Sequence, residues 1–438
     1  MKKQRVNVIS LGCSKNLVES ERLMRQLESK GYDVKFDPER PEGEMAVVNT
    51  CGFISDAKEE SIQTILDLCR LKEQGRIGRL AVMGCLSQRY LEDLKREIPE
   101  VDLWYGKFDW PRLIEDLPDL KETLTPPPLW ERRLTTPPHS AYLKVSEGCN
   151  RFCAFCAIPM ITGRHKSRPI EEIEEEVKSL VRKGVKEINV IAQDLSAYGT
   201  DLYGEAKLAE LIERISDIEG VEWIRLHYAY PADFPMDVLE VMARKKNVCK
   251  YLDIALQHIS DPVLSNMRRH ITKEETLSLI KNIRERVPGI KLRTTLMTGF
   301  PGEGPAEFEE LMEFVATQKF ERMGAFAYCE EDDTFAARNF PDSVPENEKE
   351  ERLNRLMELQ QEISLQHNEK MIGSSERVLI DRIEGTTAYG RTQYDSPEVD
   401  PEVIIDLRGR KDIKPGDFIE VKITEAYPFE LLAHPIGK

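Results

Sequence analysis

The sequence predicts a three-part α/β protein. An N-terminal doubly wound parallel sheet is followed by a central partial (β/α)6 barrel and a small C-terminal antiparallel β-barrel of the OB-like kind. Three observations carry this. Short apolar runs alternate with helical patterns in residues 1–124 and again from 139 onward, and strands alternating with helices build parallel sheets. Pro126-Pro127-Pro128 and Pro137-Pro138 separate the two series and read as an extended linker over 125–138. Five short strand patterns with no helix between them close the chain, as in a small barrel. The domains expected are therefore 1–124, 139–370 and 371–438 around that linker.

In the first part, Val6-Asn7-Val8-Ile9-Ser10-Leu11 reads as a buried strand, and Asn16 to Lys30 as a helix with Leu23 and Leu27 at helical spacing. Ala46-Val47-Val48-Asn49 and Leu80-Ala81-Val82-Met83 are further strands, followed by helices from Ser55 to Gln74 and from Ser87 to Glu97. In the second part, strands fall at 141–146, 187–192, 222–227, 251–256, 291–297 and 323–328, with helices such as Ile170 to Lys183 and Glu274 to Arg286 between them. Six units without a seventh make a partial barrel, whose site belongs at the carboxyl ends of its strands. Glu346 to Lys370 is a long polar helix with Leu353, Leu356, Leu359 and Ile363 on one side. Last come strands near 376–383, 387–393, 402–406, 417–425 and 429–433.

With 40% apolar residues among 438, the chain can bury ordinary cores. Lys and Arg number 62 against 78 Asp and Glu, a net charge of −16. Such a surface repels nucleic acid unless a local basic patch offsets it, and attracts a basic partner. Nine cysteines are too few for a disulfide scaffold of this length and read as intracellular ligands or buried thiols. Met1-Lys2-Lys3 is a basic start, but Val6 to Gly12 is too short and mixed for a signal segment, and no run reaches membrane-spanning length. A soluble cytoplasmic protein without membrane contact is expected.

Three cysteines lie within eight residues, Cys149-Asn150-Arg151-Phe152-Cys153-Ala154-Phe155-Cys156. Thiolates are soft ligands suited to iron–sulfur clusters, and three of them leave one iron of a cubane open for a small molecule. Zinc sites usually show paired C-x2-C spacings or added histidines, whereas the nearest histidine here is His165. A zinc knuckle is the competing reading. The C-x3-C-x2-C order resembles the signature of radical S-adenosylmethionine (SAM) enzymes.

Three more cysteines share a positional rule. Cys13, Cys51 and Cys85 each fall just past the carboxyl end of a first-part strand, where sites form in open α/β sheets. Gly12, Gly52 and Gly84 beside them allow close backbone approach. One buried cysteine is ordinary packing; three in equivalent positions read as a second metal–sulfur site. Cys69, Cys249 and Cys329 fall outside the rule and read as packing residues, Cys329 at a strand end where it could line the site.

Together these features are similar to the methylthiotransferase family of radical SAM enzymes. Leu11-Gly12-Cys13-Ser14-Lys15-Asn16, Asn49-Thr50-Cys51-Gly52-Phe53 and Gly84-Cys85-Leu86 are similar to its three N-terminal cysteine motifs. Glu147-Gly148-Cys149-Asn150 through Cys156-Ala157-Ile158-Pro159 is similar to its radical SAM motif. The resemblance spans nearly the whole chain and implies a C-terminal TRAM domain, two 4Fe-4S clusters and SAM as cofactors, and an electron donor and a sulfur donor as partners. Its members modify either an aspartate β-carbon of small-subunit ribosomal protein S-twelve or an isopentenyl-adenosine of tRNA. Residues 373–438 hold nine Lys and Arg against thirteen Asp and Glu, a net of −4. A barrel gripping tRNA should be basic, so this charge favours the basic ribosomal protein as substrate over nucleic acid. A β-C–H is too weak an acid for a side-chain base, whose contribution is roughly 10²–10⁴-fold; the resemblance implies a radical abstraction instead, with sulfur delivered from the N-terminal cluster. A non-enzymatic iron–sulfur binding or electron-transfer protein is the reading of another class, against which the open-iron triplet argues.

SAM needs polar contacts at strand ends. Candidates are Gln193 and Asp194 after the second central strand, Gln257 after the fourth, and Thr298 and Gly299 after the fifth. Ala192-Gln193-Asp194 stands where radical SAM enzymes often carry Gly-Gly-Glu, and Phe300-Pro301-Gly302-Glu303-Gly304 resembles a family Pro-Gly-Glu-Thr turn with Gly304 in place of Thr.

Overall fold

A computed structural model describes residues 4–121 and 125–436. The basic start Met1-Lys2-Lys3, the first domain boundary at residue 124 and the end of the last domain at 437–438 lie outside the described residues. Two compact units make up the chain. One takes the residues up to Thr136 together with Tyr142–Asn150 and Cys156–His165; the other takes Pro137–Ala141, Arg151–Phe155 and everything from Lys166. Two short segments of the expected central part, both carrying motif cysteines, thus pack with the first unit.

The first unit is built on five parallel strands, β1 (Arg5–Ser10), β2 (Asp33–Phe36), β3 (Gly43–Thr50), β4 (Ile77–Gly84) and β5 (Leu103–Trp104), in the order β2-β1-β3-β4-β5. Both faces are covered. Leu23, Met24 and Leu27 of helix Ser14–Ser29 pack with Val6, Val8, Met45 and Val47 on one side. Ile65 and Leu68 of helix Ser55–Glu73 pack with Ile9, Ala46, Val48 and Val82 on the other. Each fully buried Leu here contributes roughly 1.5–3 kcal/mol. β2 and β5 were absent from the sequence reading. β2 is a four-residue edge strand, Asp-Val-Lys-Phe, with Asp33 paired to Arg5 at 3.1 Å, so it carries no apolar run. This strand order reverses direction between β1 and β3, the point where doubly wound sheets open a crevice. Cys13 follows β1 and Cys51 follows β3.

In the second unit the strands are β6 (Ser140–Lys144), β9 (Glu187–Ile191), β10 (Trp223–Ala229), β11 (Val248–Gln257), β12 (Lys291–Thr298) and β13 (Arg322–Ala327); β6 begins here and runs on into the first unit. The two-residue strands β7 (Ser146–Glu147) and β8 (Lys166–Ser167) lie between β6 and β9 in the chain. The sheet order β13-β12-β11-β10-β9-β6 is the open six-stranded arrangement expected of a partial barrel. A closed five-stranded barrel, β14 (Ser375–Glu384), β15 (Thr387–Thr392), β16 (Glu402–Asp406), β17 (Phe418–Ala426) and β18 (Glu430–Pro435), completes the unit. Its pairs are antiparallel except β16 with β18, which run parallel.

This barrel covers the amino-terminal ends of the six-stranded sheet. Leu379 packs with Trp223, Cys249 and Tyr251 at the starts of β10 and β11. Asp400 meets Arg293 of β12 and the Tyr251 hydroxyl, which donates to it at 2.8 Å. Asp395 binds Arg322 of β13 at 2.6 Å. Cys69 and Cys249 are buried in cores as expected, and Cys329 is exposed.

The helix Glu346–Glu369 buries a different stripe from the one its leucines suggest. Lys349, Arg352, Leu356, Gln360 and Ile363 face inward, while Leu353 and Leu359 are half-buried. The inward donors find partners: Gln360 Nε2 donates to Phe320 O at 3.0 Å and Arg352 to Glu303 at 2.6 Å. Buried polar residues leave no mark in an apolar periodicity, which is why the stripe was misplaced. Among the described residues no helix is long and apolar enough to cross a membrane.

Glu187, the first residue of β9, locks the two barrels of the second unit. It accepts from Arg391 through both oxygens at 2.8 Å, from Arg225 at 3.1 Å and from Ser140 at 2.7 Å. Burial alone would raise its carboxyl; the guanidinium groups of Arg391 and Arg225 outweigh burial and hold it far below the usual carboxylate range. A depressed folded value contributes stability that is present above the unfolded carboxylate value of about 4.3 and is lost as pH falls toward the folded one. Glu187→Gln should therefore cost roughly 3–5 kcal/mol at neutral pH, because it strands buried guanidinium charge. The gap from wild type should narrow below about pH 4; urea unfolding at the two pH values measures it, and an equal loss at both contradicts this account.

Candidate active site

Three strand ends of the first unit bring Cys13, Cys51 and Cys85 together. Cys13 caps helix Ser14–Ser29, its carbonyl accepting from the Asn16 and Leu17 amides at 2.9 and 3.1 Å. Cys85 opens helix Cys85–Glu97 directly after β4. Two of the three thiols thus sit at helix amino termini, which favour thiolate. Cys51 is buried; its amide donates to Ser61 Oγ and Ser61 Oγ donates to its carbonyl, both at 3.0 Å. Gly12, at φ +85°, lets the Cys13 turn come down on Cys51: a Cβ there would lie 2.9 Å from Cys51 Sγ.

Asn16 ties the group together. Its Nδ2 donates to Leu11 O at 3.2 Å and to Thr50 O at 3.0 Å, which turns Oδ1 toward Cys85 Sγ and Lys107 Nζ, each 3.4 Å away. Burial pushes the Cys85 thiol up to about 11 despite Lys107, and burial also raises Cys51. For Cys13, which reaches solvent from a crowded recess, burial acts upward, but Lys15, the Asn16 amide and Lys107 bring it below its ordinary value. A coordinated cation would remove these protons outright. Among the described residues no three His, Cys, Asp or Glu close to the spacing of a single metal ion. A four-iron cubane is a wider body, and three soft thiols around a crevice fit it in number and chemistry.

The radical SAM motif is shared between the units. In the first, the Cys149 amide donates to Gly163 O at 3.2 Å and the His165 amide to Asn150 Oδ1 at 3.1 Å. Gly148 has φ +74°, and a Cβ there would run into Arg164 O. Helix Cys85–Glu97 packs against the short helix Ile158–Thr162 that follows Cys156. In the second unit, the loop with Cys153 is pinned by Ala154, whose amide donates to Met267 O at 2.9 Å and whose carbonyl accepts from Ala336 N at 2.8 Å. Arg269 Nη1 donates to Cys153 Sγ at 3.2 Å. The Arg269 and Arg151 guanidinium groups both lie against the Tyr230 ring, 4.1 and 4.3 Å from its centroid.

Among the expected SAM contacts, the structure separates roles. Gln257 ends β11 in a left-handed conformation, φ +72°, with its buried side-chain carbonyl lacking any protein partner. That orphaned acceptor at a strand end suits a ligand donor. Gln193 is half-buried two residues past β9. Asp194 is committed to Arg151 at 2.7 Å and to the Ser196 amide at 3.0 Å. The Thr298 hydroxyl donates to Lys349 O at 3.4 Å and the Gly299 amide to Glu303 Oε1 at 2.9 Å. Glu303, the acid of the Pro-Gly-Glu turn, also holds His258 and Arg352. Asp194, Thr298 and Gly299 thus shape strand ends, while Gln257 offers an open acceptor.

Sequence reasoning missed Lys107, Arg269, Tyr230 and Arg151. Lys107 was findable. It follows β5 as the cysteines follow β1, β3 and β4, and went unseen because two-residue β5 has no periodicity to detect. Arg269 approaches Cys153 from 116 residues away and has no local signal.

Residues 5–106 match the Uncharacterized protein family UPF0004, 143–315 the Radical SAM superfamily and 372–436 the TRAM domain. The chain is 59% identical over 433 residues, 99% of each chain, to the ribosomal protein uS12 methylthiotransferase RimO of Porphyromonas gingivalis. It is 57% identical over the full length of both chains to the protein of that name in Bacteroides thetaiotaomicron. Among solved structures, the radical S-adenosylmethionine methyltransferase TsrM from Kitasatospora setae, with cobalamin and a 4Fe-4S cluster bound, shares the fold: TM-score 0.56 at 14% identity, covering 86% of this chain and 77% of that one. With three domain matches in series and relatives more than half identical from end to end, the chain belongs to the uS12 methylthiotransferase (RimO) family of SAM-dependent radical enzymes, which use SAM and 4Fe-4S clusters.

Proposed function

We propose that this protein inserts a methylthio group at the β-carbon of an aspartate in small-subunit ribosomal protein uS12. The observation that carries this reading is identity of 59% over 99% of a relative named as a ribosomal protein uS12 methylthiotransferase, so all three parts of the chain match together. Cys149, Cys153 and Cys156 hold one 4Fe-4S cluster and Cys13, Cys51 and Cys85 a second, in domains 1–124, 139–370 and 371–438 as the sequence divides them. When bound, the first cluster and SAM supply one-electron cleavage to a 5′-deoxyadenosyl radical, and the second cluster supplies the sulfur.

The chain's own residues do the positioning. Gln257 is the SAM contact with an acceptor to offer, and Gln193 a second by position. Asp194 holds Arg151, Glu303 holds the Gly299 turn, and Thr298 anchors β12 to the helix beneath it. Arg269 supplies a charged donor to the Cys153 sulfur. An electron donor and a sulfur donor complete the partners, and the cytoplasm is where a ribosomal protein substrate would be met. The charge of the C-terminal barrel supports this less than its count suggests: Asp395 and Asp400 are spent on Arg322 and Arg293, outside the barrel.

Anaerobically reconstituted enzyme given SAM, dithionite and, in parallel, uS12 and unmodified tRNA tests the reading by mass spectrometry. A methylthio gain on the aspartate peptide is expected. A gain on tRNA adenosine alone overturns the substrate, and absence of 5′-deoxyadenosine with intact clusters overturns the enzyme.

A further inference from the structure

Lys107 is a cation where a cation is costly. Its side chain is 3% exposed, and taking an ammonium out of water is unfavourable unless nearby negative charge offsets it. The carboxylate it meets, Glu147, has its Oε1 4.0 Å away and is held more closely by Lys144, which also binds Glu19. The closer contact of Lys107 Nζ is the neutral Asn16 Oδ1 at 3.4 Å. That oxygen also takes Cys85 Sγ at 3.4 Å, so ammonium and thiol sit on one acceptor. Asn16 cannot turn away, because Leu11 O and Thr50 O hold its amide nitrogen. Lys107 acts electrostatically on Cys85, Cys13 and Cys51 alike. The neighbouring Phe108 ring adds a weak π contact 5.9 Å from Nζ.

We propose that Lys107 is a positioning residue for the N-terminal cluster: its buried ammonium, aimed by Asn16, balances the negative charge of three thiolates and their cluster and raises that cluster's reduction potential. This rests on the assignment of Cys13, Cys51 and Cys85 as ligands. A fixed positive charge in a low-dielectric crevice favours each added electron and each added sulfide. Through Glu147, two residues before Cys149, the same ammonium also touches the loop that begins the radical SAM motif.

The test uses the full chain with Cys149, Cys153 and Cys156 all replaced by Ala, so that only the N-terminal cluster remains. Iron content and the midpoint from an EPR-monitored redox titration are read for this background, K107M and K107R. K107M should still hold about four irons while its reduction equilibrium falls about tenfold, a shift of about 59 mV to lower potential for a one-electron couple. K107R should restore most of that shift. If K107M loads poorly while its apo form unfolds at the background's temperature, and K107R restores loading, the charge role stands. Equal potentials in background and K107M overturn it, as does K107R behaving like K107M. A background protein that binds no iron at all overturns the ligand assignment itself, and the inference with it.

Discussion

Cys153→Ala should reduce 5′-deoxyadenosine formation to the level of a no-enzyme control, with iron after reconstitution falling from about eight to about four per chain. The reason is coordination. Two thiolates cannot hold a cubane that already leaves one iron open for SAM, and the hydrogen-bond partners of the Cys153 sulfur, the Arg269 guanidinium and the Tyr230 hydroxyl, are not soft ligands. The substitution is also structurally mild. The loop is pinned through the backbone of Ala154 to Met267 and Ala336, and Arg269 keeps its contact with Ala255 O and its place on the Tyr230 ring. Loss of activity in a protein with unchanged circular dichroism then reports on the ligand. Retained SAM cleavage would remove Cys153 from the cluster and with it the reading of C-x3-C-x2-C as a SAM-cleaving site.

How much of this was legible beforehand follows from which signals are local. The cysteine spacings, the β/α alternation and the five terminal strands are local patterns, and each appears in the structure. Strand ends in an α/β sheet gather on one edge, so Cys13, Cys51 and Cys85 could be read as one group although 72 residues separate the first from the last. What escaped was of two kinds. Short edge strands such as β2 and β5 bury too little to be apolar, and with β5 went Lys107. Buried polar groups, such as Arg352, Gln360, Glu187 and Arg391, look like surface residues in a sequence because their partners lie far along the chain. The same blindness inflated the negative charge assigned to the C-terminal barrel, since Asp395 and Asp400 are almost wholly buried in ion pairs.

Cys51→Ala should separate the two halves of the reaction. SAM cleavage should continue and 5′-deoxyadenosine should accumulate, while methylthio product on uS12 falls below detection and iron again falls to about four per chain. Cys51 is the choice among the three because it is the buried one, between Ser61 and the Gly12 turn. Cys13 reaches solvent, where an added thiol could stand in for it; a hole at Cys51 is too enclosed for such rescue. The backbone bonds to Ser61 do not involve the sulfur, so the strand end stays in place. Each variant keeps the cluster that the other loses, and Cys51→Ala keeps the SAM cleavage that Cys153→Ala loses, so about four irons per chain in both would argue against general misfolding. Normal product from Cys51→Ala would take the N-terminal thiols out of sulfur transfer and leave them a structural role. Loss of SAM cleavage as well would mean that the two clusters depend on each other, and the contact of Lys107 with Glu147 is the link in the first unit through which the loop of Cys149 would feel a change at Cys85.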